Sequence, residues 1–178
     1  MEKRVQFPET KDGDIFNLAG YEFIKFPSVN NETPIVMRDY AFISRFGDNN
    51  DLRSSDVLRR MQEEILPKII EAVGEENVCT FKTDLTTMDG IKHYGVMESK
   101  ISLPTIDFYR ANGETFNKYK PSRWCWLATP ESAKPNDDPW WTLCVSPFGY
   151  IYDGVCNIAR GVRPILFLKS SIFESFEN

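Results

Sequence analysis

The sequence predicts an α+β fold: short antiparallel strands, one long kinked helix and one or two short helices. Three observations predict it. Residues 124–168 hold all four tryptophans and three of the four cysteines, in short apolar runs bounded by Pro, Gly, Asn and Asp. With turn residues roughly every 8–12 positions, that pattern reads as an antiparallel meander. Residues 15–26 alternate apolar and polar side chains as a hairpin does, and apolar residues recur at helical spacing from Val57 to Val73. A chain of 178 residues suits one domain, with 1–120 supplying N-terminal strands and helices and 121–178 the meander.

Taken in order, Ile15 to Gly20 and Tyr21 to Phe26 form the hairpin, with Tyr21, Phe23 and Phe26 feeding the core. Pro27 to Pro34 is a polar loop turning at Asn30-Asn31, and Ile35 to Met37 resumes a strand. Tyr40 to Ile43 is a short apolar run before a loop from Gly47 to Leu52. The helix starts at Ser54 or Ser55, either of which can cap it, and ends at Gly74. Its apolar face is Val57, Leu58, Met61, Ile65, Ile69 and Val73. Pro67 lacks the amide that would bond the Glu63 carbonyl, so a kink or a break into two helices is expected there. Val78 to Asp84 reads as a strand, Asp89-Gly90 as a turn, and Ile91 to Tyr94 as a short helix. Thr105 can cap a helix over Ile106 to Ala111, which Asn112-Gly113 stops. Trp124 to Leu127, Trp140 to Ser146 and Tyr150 to Tyr152 then form strands, and Val162 to Leu168 closes the set.

Trp124, Trp126, Leu127, Thr129 and Pro130, then Gly149, then Gly161, Val162, Arg163 and Pro164 carry a resemblance. Their order, W-x-W-L-x-[TS]-P … G … G-V-R-P-x-L, resembles a domain family of phages and mobile elements of Gram-positive bacteria. That family looks like a relative of the C-type-lectin-like fold, which formylglycine-generating enzymes and retroelement variable proteins also use. The resemblance implies a C-type-lectin-like core and a genomic setting, but no activity. Within the motif, Trp124, Trp126, Gly161, Arg163 and Pro164 read as structural. Arg163 would hydrogen-bond carbonyls or a carboxylate near the sheet, with Pro164 at an edge or bulge; a ligand contact by Arg163 is the other reading.

The charge balance, 21 basic against 26 acidic side chains and a net −5, argues against direct nucleic-acid binding. It suits a partner with a basic surface, such as the nucleic-acid groove of an enzyme. No apolar run spans a bilayer and residues 1–10 carry no apolar leader, so a cytoplasmic place in a bacterial host, without membrane contact, is expected. His93 is the lone histidine and lacks a nucleophile motif, so no enzyme activity is expected. The four cysteines form no CxxC pair, and no metal or cofactor is expected. An oxidase in the style of the formylglycine generators would need copper held by two of them.

The residues most suggestive of binding lie around the insert at 131–139. Trp140 and Trp141 must point to opposite faces of a strand, so one fills the core while the other covers a loop or meets solvent. Asp137, Asp138, Trp140, Trp141, Tyr150, Tyr152 and Asp153 form the expected partner surface. Two functions follow as expectations. One is a non-enzymatic protein-binding module acting as an anti-defence inhibitor, for example an anti-CRISPR protein blocking a Cas nuclease. The other is a lectin-like ligand- or receptor-binding display protein.

Overall fold

The computed structural model describes residues 6–133 and 139–174, and Asp137 and Asp138 lie outside the described residues. The fold is α+β, with a four-stranded sheet, a five-stranded sheet and a two-stranded ribbon. Strands β1 (Ile15–Leu18) and β2 (Tyr21–Lys25) form the expected hairpin, and Ala19 and Gly20 make its turn at positive φ. Strand β3 (Glu32–Met37) follows a turn in which Asn30 and Asn31 adopt φ of 52° and 63°. Asn tolerates that left-handed region better than most residues. Phe23 and Phe26 are buried, whereas Tyr21 is half-buried and packs at the core's edge.

Strand β4 (Phe42–Ser44) and a 3-10 turn (Leu52–Ser54) lead into the long helix. Ser55 is its cap: the Oγ accepts the Leu58 amide at 3.0 Å. The helix runs through α1 (Asp56–Arg60), a π-helical turn (Met61–Ile65) and α2 (Leu66–Val73) without a break. Pro67 sits in the first turn of α2, just past the π turn, and the Leu66 amide reaches back five residues to Met61. Widening one turn accommodates the missing proline amide, so the break anticipated at Pro67 becomes a register change inside one helix. All six apolar residues of the expected helix face are buried.

Strands β5 (Phe81–Asp84) and β6 (Val96–Ser99) form the ribbon. The helix expected over Ile91 to Tyr94 is absent. Thr87 holds that segment as a turn instead, its Oγ1 accepting the Ile91 amide at 2.8 Å and its amide donating to the Ile91 carbonyl. Helix α3 (Ile106–Ala111) is capped by Thr105 as expected, but Asn112-Gly113 does not stop helical structure for long. A second helix, α4 (Gly113–Lys118), starts at once, because buried Phe116 stacks on Tyr109 and holds it to the core.

The C-terminal stretch departs most from the expected meander. Strands β7 (Cys125–Pro130), β8 (Trp141–Val145) and β9 (Ile151–Val155) do run antiparallel in sequence order. Strand β10 (Arg160–Val162) then crosses back to pair parallel with β7 and antiparallel with β4. The run expected to close the set is broken at Arg163-Pro164, where the chain leaves one sheet for the other. Strand β11 (Ile165–Lys169) pairs with β3. Pro164 is thus a sheet-to-sheet corner; its carbonyl accepts the Met37 amide at 2.9 Å.

Both sheets are buried on two faces. One core lies under the long helix and includes Phe23, Phe46, Trp126, Cys144 and Val162. The other lies under α3 and α4 and includes Phe26, Val36, Phe116, Leu127 and Leu143. This two-sided cover explains β7, whose six residues are all buried.

Candidate functional site

The β8–β9 hairpin ends the five-stranded sheet, and β9 is an edge strand. Five large apolar side chains stand exposed here: Trp141 (42%), Phe148 (75%), Tyr150 (64%), Tyr152 (51%) and Ile158. Ser146 builds the tip. Its Oγ accepts the amides of Phe148 and Tyr150 at 3.3 and 3.2 Å, and Gly149 supplies a φ of 85°.

Alternation along the strands sorts the expected site residues. Trp140 is half-buried against the core under the long helix, while Trp141 opens the strand on the opposite side and is exposed. Trp141 and Leu143 lie on one face, and Asp153 sits opposite Leu143 in the ladder. Cys144 and its cross-strand partner Tyr152 lie on the other face. The single surface expected from Trp141, Tyr152 and Asp153 is therefore divided by the sheet. Trp141 and Asp153 share one side of the edge, and Tyr152 takes the other.

On the Trp141 side the local field is negative. Glu131 is half-buried, its amide donates to the Trp141 carbonyl at 3.1 Å, and its carboxyl faces Asp153. Burial first, then the like charges of Asp153 and Asp89, raises the Glu131 pKa above the usual carboxylate range. No cation among the described residues opposes that shift. The insert is anchored by a residue of the loop expected from Gly47 to Leu52. Buried Asn50 donates from Nδ2 to the carbonyls of Ser132 and Trp141, each at 2.8 Å, and its amide donates to Pro139. Its Oδ1 accepts the Tyr94 hydroxyl at 2.6 Å.

On the Tyr152 side the missed residue is Arg160. Its guanidinium carbon lies 4.8 Å from the Trp124 ring centroid and 5.2 Å from that of Trp126. Tyr152 meets Trp124 edge-on at 5.2 Å. Trp126 itself is fully buried and donates its indole N–H to the Ser44 carbonyl at 3.0 Å. The W-x-W spacing puts both indoles on one side of β7, a signal visible in sequence, but nothing local shows that β10 returns beside them.

The remaining motif residues hold the frame. Gly161 lies where β10 touches β7, and a Cβ there would come within 2.9 Å of the Cys125 Sγ and 3.0 Å of the Tyr40 Cβ. Buried Arg163 donates from Nε to the Met37 carbonyl and from Nη2 to those of Arg38 and Tyr119, at 2.7, 2.7 and 2.8 Å. All four cysteines are free thiols. Burial pushes Cys125 and Cys156 up to about 12 and Cys144 up to about 11. His93 is exposed beside Tyr94, with ring centroids 5.4 Å apart. Among the described residues no group of three or more His, Cys, Asp or Glu side chains could hold a metal ion, and no helix is long and apolar enough to cross a membrane. No family model matches the chain, and neither a curated protein nor a solved structure matches it.

Proposed function

We propose that this chain is a non-enzymatic protein-binding module with a C-type-lectin-like core, and that it docks on a partner surface rich in Lys and Arg. One observation carries the reading. Exposed Trp141 shares a sheet face with Asp153 and Glu131, whose carboxyls repel each other, and among the described residues no cation offsets that repulsion. A partner Lys or Arg would relieve that repulsion while the indole supplies rigid apolar area, a combination common at binding hot spots. The net charge of −5 favours encounter with the same kind of surface.

The resemblance of the W-x-W-L and G-V-R-P stretches to a mobile-element family supplies the setting. In that setting the partner is a bacterial defence nuclease, such as a Cas nuclease, and the carboxylates occupy a groove that otherwise takes nucleic-acid phosphates. The site of action is then the cytoplasm of the bacterial host. The test is capture of candidate nucleases on the tagged chain at low and high salt, beside a Glu131→Lys/Asp153→Lys variant and Trp141→Ala. A salt-weakened complex lost on charge reversal is expected, with Trp141→Ala costing about 2 kcal/mol or roughly 30-fold in affinity. A complex indifferent to salt and to both variants would overturn the reading.

A further inference from the structure

The opposite face of the same edge carries a different chemistry. Arg160 is half-buried, and its Nε is buried without a hydrogen-bond partner among the described residues. Two indoles hold the guanidinium in place, and Gly154 lets it lie flat against β9. A Cβ at Gly154 would come within 2.9 Å of the Arg160 Nε and 3.0 Å of its Nη2. A half-buried guanidinium without an acceptor is costly, and contact with two aromatic faces offsets only part of that cost. An anion in line with the terminal nitrogens would offset the rest.

We infer that Arg160, held by Trp124 and Trp126 and rimmed by Tyr152, is a carboxylate-binding site. The terminal edge of a guanidinium presents two parallel N–H donors that match the two oxygens of a carboxylate. Aromatic flanks suit a planar monoanion. A phosphate dianion would bring twice the negative charge of a carboxylate to a protein whose net charge is already −5. The carboxylate comes either from a small free acid or from an Asp or Glu side chain of a peptide. This inference does not rest on the partner reading, since it concerns the other sheet face and the opposite charge.

The experiment follows the Arg160 Nε–H and the tryptophan indole N–H resonances of the whole chain at constant ionic strength. Probes are sodium propionate, the peptide Ac-Ala-Glu-Ala-NH2, its Gln analogue and inorganic phosphate. Saturable shifts at Arg160 and Trp124 with the two carboxylates, in the millimolar range, are expected, with none from the Gln peptide. Propionate equal to the Glu peptide identifies a free acid as a sufficient ligand, whereas a tighter Glu peptide identifies a peptide side chain. Arg160→Lys keeps the charge but loses the planar fork, and should weaken binding at least about tenfold. Gly154→Ala pushes the guanidinium off its bed and should do the same, with the amide spectrum reporting that the fold persists. Shifts equal for the Glu and Gln peptides, unchanged affinity in Arg160→Lys, or tighter binding of phosphate than of either carboxylate would each overturn the assignment.

Discussion

Arg163 is only 4% exposed, and three backbone carbonyls and the face of Phe116 surround its guanidinium. Burial pulls its pKa down. Arg163→Met would strand three carbonyls from two segments distant in sequence, so a loss of roughly 3–5 kcal/mol in urea unfolding is expected. A loss below about 1 kcal/mol would mean that water replaces the guanidinium. The buried thiols make a second residue-scale prediction. Cys125, Cys144 and Cys156 have folded pKa values above the ordinary 9.0, so the native state holds their protons longer than the unfolded chain does. Their contribution is complete below about pH 9 and is lost as pH rises towards about 12. Stability should therefore fall over that window, and in native protein at pH 8 half-buried Cys79 should be alkylated before the other three. At this scale the G-V-R-P motif was legible, including the expectation that Arg163 meets carbonyls. Arg160, three residues earlier, was not, because its neighbours come from a parallel pairing that no local pattern encodes.

Elements were legible where one period governed them and obscure where tertiary contacts decided. The long helix shows its six-residue apolar face and Ser55 cap in the sequence, and Pro67 signals an irregularity there. That the irregularity is a π turn rather than a break depends on Met61 and Ile65 both staying buried. Helix α4 and strand β6 went unread, for each is four to six residues long and held by packing or pairing rather than by pattern. The loop at Asn50 shows the same limit with a larger consequence. Its side chain ties Ser132, Trp141 and Tyr94 together, so it sets where β8 begins and how Trp141 is presented. Asn50→Ala removes three hydrogen bonds, one of them buried and two part-buried, and is expected to cost about 2–4 kcal/mol. Hydrogen exchange at the Glu131 amide, which donates to the Trp141 carbonyl, should accelerate more than exchange in β2 or β3. Uniform acceleration would instead mean that Asn50 acts on global stability alone.

At the scale of the whole molecule, the two faces of one sheet edge carry opposite charge, and the acidic face bears a cost that the proposed basic partner would recover. The Glu131 pKa is raised, so its contribution to stability is complete below the ordinary carboxyl pKa of 4.5 and is lost as pH rises through the folded value. Ionised Glu131 beside Asp153 thus opposes folding at neutral pH. Glu131→Gln removes that repulsion, and its thermal midpoint should exceed that of the native chain at pH 7, the two converging below about pH 4. The same substitution removes a charge that a Lys- or Arg-rich surface would pair with, so the more stable variant should bind the partner less tightly. Stability and binding then move in opposite directions upon one change, as expected when a strained charge pair is kept for recognition. A Glu131→Gln chain that melts higher and binds as tightly as the native one would separate the two, leaving Trp141 as the main contact of this face. A chain that melts lower would place Glu131 in a stabilising contact and remove the electrostatic argument for a basic partner.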